Sequence, residues 1–241
     1  MILAAGEGTR LRPLTLDTPK ILLPLAGQPL LKHLLSWLTR NGCSEVAINL
    51  HHLPNETRSY LGDGSLFGLK KVFYSQEETL LGTAGGVKRA QDFFTSTFVV
   101  VYGDTVSVFN LDEMFRFHRE RSALATIALV EMSKPWEAGI VEIDGLGRVS
   151  SFVEKPPRDS GCSNLGNGGV YILEKDVLSY IPDGQTCDFG HDIFPRLLEL
   201  KLPVYGYRLP AGEHIIDIGD FDRYQKAEED IASGKISFEV I

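Results

Sequence analysis

The chain of 241 residues has little cysteine: Cys43, Cys162 and Cys187, odd in number and widely spaced. That pattern builds neither a disulfide framework nor a metal-binding set, and it points to a reducing compartment. Long apolar runs are missing too. None approaches the roughly 20 residues that cross a bilayer. The opening Met1-Ile2-Leu3-Ala4-Ala5-Gly6 has no basic segment ahead of an apolar one, so no secretory leader is expected. The Asn55-Glu56-Thr57 sequon is then accidental, and a cytoplasmic protein without a membrane partner is expected. Positive charge is in deficit, with 24 Lys+Arg against 32 Asp+Glu and a net charge of -8. This excludes a surface devoted to a nucleic acid polymer or an anionic membrane. It leaves room for one basic pocket that takes a phosphorylated ligand. No repeat, low-complexity tract or Pro/Gly/Ser-rich linker divides the chain.

Short β-branched runs alternate instead with longer amphipathic ones. Strands are predicted at Ile2–Ala5, Glu45–Asn49, Lys70–Tyr74, Thr97–Tyr102 and Ala125–Val130. Helices are predicted at Pro29–Arg40, Thr83–Phe94 and Leu111–Glu120. Leu31, Leu34, Leu35 and Leu38 make one apolar stripe, and Asn41-Gly42 stops that helix. Phe98–Val101 is apolar on both faces, as in a central strand covered on both sides. Further on, Gly139–Ile143 and Arg148–Val153 flank the turn signal Asp144-Gly145-Leu146-Gly147, which predicts a hairpin. Strands at Asn167–Leu173, Val204–Arg208 and Ile215–Ile218, with helices at Asp192–Leu200 and Asp220–Ser233, complete the pattern. The fold class expected is α/β: a Rossmann-like wound mixed sheet flanked by helices, with an inserted hairpin as the second wall of a cleft.

The informative segment is Leu3-Ala4-Ala5-Gly6-Glu7-Gly8-Thr9-Arg10-Leu11-Arg12-Pro13-Leu14-Thr15, followed by Thr18-Pro19-Lys20. A strand runs straight into a glycine loop. Glycines let backbone N–H groups approach phosphate oxygens with no Cβ in the way. Arg10 and Lys20 add charge that can neutralise a polyphosphate. Two familiar phosphate loops fail. Leu11 stands where the dinucleotide fingerprint needs its third glycine, and Pro13-Leu14-Thr15 stands where the Walker loop needs Gly-Lys-Ser/Thr. A flexible turn with two solvated arginines is the plain alternative.

The extended string resembles the signature of the sugar nucleotidyltransferases, the nucleoside-diphosphate-sugar pyrophosphorylases, with the mannose and heptose guanylyltransferases as the nearest type. The resemblance continues, in family order, through Leu81-Gly82-Thr83-Ala84-Gly85, Tyr102-Gly103-Asp104, Phe152-Val153-Glu154-Lys155-Pro156, Asn167-Gly168-Gly169-Val170-Tyr171 and Asp217-Ile218-Gly219. It implies one domain over residues 1–241, with a nucleotide-binding half to about residue 130 and a sugar-binding half from about 131. It implies transfer of a nucleotidyl group from a nucleoside triphosphate to a hexose or heptose 1-phosphate, with release of pyrophosphate. The substrates are the partners it implies; self-association into a homo-oligomer stays open.

The resemblance also assigns roles. Arg10, Lys20, Asp104 and Lys155 are the catalytic set. Leu3, Ala5, Gly6, Gly8, Thr9, Glu77, Gly82 and Thr83 would line the nucleotide. Gly139, Glu154, Lys155 and Asn167 would bind the sugar phosphate. Asp104 and Asp217 would hold Mg²⁺, which suits one or two carboxylates plus substrate phosphates. Each has a plainer reading: Asp104 and Asp217 as turn formers or a helix cap, Glu154-Lys155 as a solvated turn, Asn167 and Gly139 as ordinary strand residues. Glu77 precedes Gly82 by five residues, where the family places a base-reading side chain. A carboxylate is acceptor-only and suits guanine, which presents two adjacent donors; uracil suits Gln better. GTP is the substrate expected, and uridylyl or thymidylyl transfer is the alternative. A non-catalytic nucleotide-sugar sensor is the rival of another class.

Several signals carry nothing at this level. Asp188-Phe189-Gly190 spells the kinase magnesium motif, but His118-Arg119-Glu120 sits on a predicted helix with Glu where Asp is needed. His51-His52 lacks ligand partners at metal spacing. Two departures from the family stand out. Met1-Ile2 begins inside the first strand, so either the start lies upstream or that strand is clipped. Asp220 replaces a frequent Thr or Ser, as a helix cap or as a third carboxylate near the metal. No room follows Ile241 for the β-helix that extends some members, so acetyltransfer through it is not expected.

Overall fold

The leucine stripe forms the helix it predicts. Leu30, Leu31, Leu34, Leu35, Trp37 and Leu38 are all buried along one helix. Asn41 caps its end, and Cys43 N–H reaches back to Leu38 O at 3.0 Å while Gly42 takes a positive φ of 80°. The computed structural model describes residues 1–158, 160, 161 and 163–238. Cys162, one of the three cysteines, lies outside the described residues.

In chain order the strands are β1 (Ile2–Leu3), β2 (Pro24–Leu25), β3 (Gln28–Pro29), β4 (Glu45–Leu50), β5 (Lys71–Gln76), β6 (Phe98–Tyr102), β7 (Thr105–Val108), β8 (Ala125–Glu131), β9 (Gly139–Ile143), β10 (Val149–Glu154), β11 (Leu165–Leu173), β12 (Val204–Arg208) and β13 (His214–Asp217). The helices are α1 (Leu30–Arg40), α2 (Pro54–Leu61), α3 (Gly82–Arg89), α4 (Leu111–Glu120), α5 (Phe194–Glu199) and α6 (Phe221–Ala232). The fold is α/β with a mixed sheet, as expected.

The chain packs as two compact units interleaved along the sequence. The first unit takes Met1–Leu80, Val101–Asn110 and Glu213–Ile241; the second takes Leu81–Val100 and Leu111–Gly212. In the first unit β1 lies between the end of β6 and β4, and β5 follows, all parallel. A separate antiparallel ribbon pairs β7 with β13, placing Ser107 opposite Ile215 and Thr105 opposite Asp217. Leu25, Leu30, Val106, Val108, Ile218 and Ala227 pack into one core behind that ribbon.

In the second unit β11 pairs antiparallel with β8 and β9, and β8 pairs parallel with β12. The predicted hairpin forms: β9 and β10 are antiparallel, and Asp144 Oδ1 accepts from Leu146 and Arg148 N–H at 2.8 and 2.9 Å across the turn. His118 on α4 is 1% exposed, with Nδ1 2.7 Å from Thr126 Oγ1 and Nε2 3.2 Å from Glu174 Oε1. Burial holds its pKa below the ordinary value against the pull of Glu174. His118→Ala leaves Thr126 without its partner and opens a cavity. It is expected to cost about 2–3 kcal/mol in urea denaturation; wild-type stability in the variant overturns this.

Some boundaries move. β1 ends at Leu3, because Ala4 N–H donates to Asn49 Oδ1 at 2.7 Å and leaves the ladder. α3 stops at Arg89 and a 3₁₀ turn continues it to Phe93. The predicted Asp192–Leu200 helix is a π turn at Phe189–Ile193 leading into α5, with Pro195 in its first turn. α2 and β7 were not legible: Pro54 starts the first, and the second is four residues long.

Candidate active site

In the first unit the glycine loop folds back on itself. Gly8 takes φ 65°, and a Cβ there would sit 2.8 Å from Thr15 Cγ2. Thr15 Oγ1 donates to Gly8 O at 2.8 Å, and Leu11 N–H donates to the same oxygen at 2.9 Å. Thr15 is fully buried, so this loop is built and not floppy. Gly6 differs. It is exposed, its φ is ordinary, and a Cβ there would meet nothing within 4 Å. Among the described residues no packing asks for a glycine at that position.

Lys20 follows the loop and lies against Gly8. Its ammonium is 2.7 Å from Asp104 Oδ2, with the two side chains 12% and 31% exposed. Asp104 occupies the turn between β6 and β7. Asp217 ends β13, and the neighbouring Ile218 N–H donates to Asp104 O at 3.0 Å. The ribbon therefore brings two carboxylates separated by more than 100 residues to one end. Asp217 Oδ1 accepts from Gly219 N–H at 2.5 Å, and Oδ2 pairs with Arg223 of α6. Its pKa is raised, first by burial and then by the charge of Asp104; Arg223 and Lys20 oppose the rise. Arg10 lies beside Gly219, where a Cβ would come 3.2 Å from its Nη2. Among the described residues Arg10 has no hydrogen-bond or ion-pair partner.

The donor set fits a hard divalent cation. The two carboxylates crowd each other's charge, and Asp104 is 31% exposed. Among the described residues no third His, Cys, Asp or Glu joins them, and magnesium asks for no more. Asp220 is a helix cap: its Oδ1 accepts from Arg223 N–H at 3.0 Å, and its Oδ2 is 3.3 Å from Arg223 Nε.

Glu77 follows β5 and is 3% exposed. Its Oε1 accepts from Asn49 Nδ2 at 2.7 Å, and Asn49 Oδ1 accepts from Ala4 N–H. The amide orientation of Asn49 is fixed by these two bonds, so the loop strand and Glu77 are tied together.

The second unit holds the remaining predicted residues. Gly139 faces Glu154 in the β9–β10 register. Lys155 follows with a left-handed φ of 48°; its N–H donates to Ala138 O at 3.0 Å and its side chain is exposed. Among the described residues its ammonium has no partner. Asn167 on β11 donates to Tyr171 Oη at 2.7 Å and accepts from Gly169 N–H at 3.0 Å. Gly82 and Thr83 open α3.

The family model described as nucleotidyl transferase matches residues 1–234. The chain belongs to the nucleotidyl transferase family. A UTP–glucose-1-phosphate uridylyltransferase of Synechocystis sp. is 37% identical, covering 98% of this chain and 64% of that protein. A mannose-1-phosphate guanylyltransferase of Mycobacterium tuberculosis is 36% identical, covering 97% and 64%. The chain thus spans about 64% of the length of these relatives. Among solved structures, HddC from Yersinia pseudotuberculosis shares 27% identity at a TM-score of 0.78, covering 95% of this chain and 97% of that one. A putative glucose-1-phosphate thymidylyltransferase from Bacillus anthracis, 23% identical with a TM-score of 0.84, covers 100% of this chain and 98% of its own and shows the same fold.

Three residues escaped the sequence reading. Arg223 looks like one more charged residue in an amphipathic helix, yet it counters Asp217. Asn49 looks like a strand end, yet it is 3% exposed and links Ala4 to Glu77. Asp188 was set aside with a false kinase signal, yet it accepts from Thr83 N–H and Oγ1, both at 2.9 Å. Among the described residues no helix is long and apolar enough to cross a membrane.

Proposed function

We propose that the protein joins a nucleoside triphosphate to a sugar 1-phosphate and releases pyrophosphate. The observation that carries this reading is the grouping of Lys20, Arg10, Asp104 and Asp217 beside the glycine loop. In that reaction a sugar phosphate oxygen attacks the α-phosphorus in line, and the bond to pyrophosphate breaks. The nucleophile is already an anion, so the site needs no general base. Its task is to bring polyanions together and to stabilise charge on the leaving group. Arg10, exposed and without a partner among the described residues, is assigned to the triphosphate oxygens. Lys20 is held at the same end by Asp104. Asp104 and Asp217 would hold Mg²⁺, which supplies charge neutralisation on phosphate oxygens when bound. Lys155 and Glu154, with Asn167 and the backbone of Gly139, are assigned to the sugar phosphate.

The base proposed is guanine. A buried carboxylate at Glu77, anchored on Asn49, accepts but does not donate, which matches adjacent N1–H and N2–H₂ donors. The guanylyltransferase relative and an HddC structure complexed with GMP-PN are in line with it. The uridylyltransferase relative at 37% identity is the observation for uracil instead. Pyrophosphate release, measured over four triphosphates and several sugar 1-phosphates, decides. Turnover with UTP and not GTP overturns the guanine assignment; no turnover with any pair in Mg²⁺ favours a nucleotide-sugar sensor. Glu77→Gln is expected to lower the GTP-to-UTP ratio of kcat/KM by about tenfold, the worth of one misread polar contact. An unchanged ratio removes Glu77 from base reading. We place the protein in the cytoplasm, in line with the free thiol at Cys187.

A further inference from the structure

The segment Cys187–Asp192 reaches two of the substrate elements in the second unit at once. At its start it closes the N-terminus of α3. Cys187 O accepts from Ala84 and Gly85 N–H at 2.9 and 3.0 Å, and Cys187 N–H donates to Leu81 O at 2.8 Å. Asp188 Oδ1 accepts from both Thr83 N–H and Thr83 Oγ1, and Phe189 N–H donates to that hydroxyl at 2.9 Å. Three successive N–H groups of α3 therefore end on residues 187 and 188, not on a phosphate. The approach is so close that a Cβ at Gly82, whose φ is 75°, would sit 2.6 Å from Cys187 O. Asp192 holds Asp188 in turn, its Oδ2 accepting from Asp188 N–H at 2.7 Å.

Two residues later the same segment meets the hairpin. A Cβ at Gly190 would sit 2.7 Å from Glu154 Oε2, and one at Gly139 would sit 2.6 Å from the same oxygen. The Glu154 carboxylate thus occupies a slot whose two walls are glycines from different elements. Between the two contact points Phe189 is fully buried against Tyr171 and Phe194, with ring centroids 5.2 and 5.5 Å away. Tyr171 in turn carries the hydrogen bond from Asn167. The turn that spans this stretch is π-helical, a form that recurs where a chain must aim residues unusually.

We propose that Asp188 and Gly190 are positioning residues for substrate binding: Asp188 fixes the Gly82–Thr83 segment for the nucleotide, and Gly190 keeps the slot that orients Glu154 toward the sugar. This rests on the nucleotidyl-transfer reading above. It predicts that substitutions two residues apart act on different substrates. The test is pyrophosphate release by the intact protein, varying one substrate with the other saturating. Asp188→Ala is expected to raise the KM for the triphosphate by about tenfold, with the KM for the sugar 1-phosphate within about twofold. Asp188→Asn, which keeps an oxygen facing Thr83, is expected to recover most of that loss. Gly190→Ala is expected to do the reverse, raising the KM for the sugar 1-phosphate by about tenfold and sparing the triphosphate. If both constants move together in each variant, or neither moves, the inference is wrong. Should Asp188→Ala fail to fold, Asp188→Ser, which keeps a polar side chain too short to hold Thr83, is expected to raise the triphosphate KM by about threefold; no rise overturns the role of Asp188. Should the wild type release no pyrophosphate with any pair, the activity reading falls by itself. Calorimetric binding of GTP and UTP then decides this one: weaker nucleotide binding by Asp188→Ala supports it, and wild-type affinity overturns it.

Discussion

Asp104→Asn is expected to lower kcat for pyrophosphate release by about a hundredfold or more while leaving circular dichroism and Tm in place. Asn has nearly the same shape, and its oxygen can still accept from Lys20 Nζ, now 2.7 Å from the carboxylate. What disappears is one negative charge at the end of the β7–β13 ribbon. At the proposed Mg²⁺ site Asp217 alone would then face the cation, so the Mg²⁺ concentration for half-maximal activity should rise by about tenfold or more. A second consequence has a definite sign. The pKa of Asp217 is raised by burial and then by the charge of Asp104, with Arg223 and Lys20 pulling the other way. Removing the Asp104 charge lets Asp217 ionise more readily. The acidic limb of kcat/KM should therefore shift to lower pH in the residual activity. Unchanged turnover, or an unmoved Mg²⁺ requirement, would remove Asp104 from the site.

Asp104 and Asp217 interact in the fold, but little in their local sequence says so. Each follows a short apolar run and precedes or flanks a glycine, so each reads locally as a turn; only the string of motifs in order gave them a role. Their proximity depends on β7 pairing with β13, a contact across more than 100 positions that no local pattern encodes. The glycine loop was legible because its chemistry is local: Gly8 needs a positive φ and Thr15 folds back onto it within seven residues. α1 was legible for the same reason, since a leucine stripe dictates which face is buried. Arg223, Asn49 and Asp188 were not, because each acts through a partner brought in by tertiary packing. Asp188 is the clearest case. Its local motif suggested the wrong enzyme class, while its real partner is Thr83, 105 positions away. The interleaving of the two units has the same origin: the segment from Glu213 onward returns to the first unit because β13 pairs with β7.

Lys20→Met should reduce kcat about as far as the loss of a well-placed charged donor usually does, by roughly a hundred- to a thousandfold. Lys20 is the less exposed member of its pair, and Met keeps most of the buried stem, so packing against Gly8 survives. The change leaves Asp104 without its ammonium and takes from Asp217 one of the two cations that hold its pKa down. The pKa of Asp217 must then rise further, and the acidic limb of kcat/KM should move to higher pH, opposite to its movement in Asp104→Asn. The stability consequence follows from linkage. A carboxyl whose folded pKa lies above its unfolded value favours the fold below the unfolded value, and that contribution is lost as pH rises through the folded pKa. Wild-type Tm should therefore carry a small loss from Asp217 as pH rises above the ordinary carboxylate range, and Lys20→Met should enlarge it. Added Mg²⁺ should offset that loss in both proteins, because the cation restores the missing counter-charge. A limb that moves the same way in Lys20→Met as in Asp104→Asn would mean that Asp217 does not report on this site.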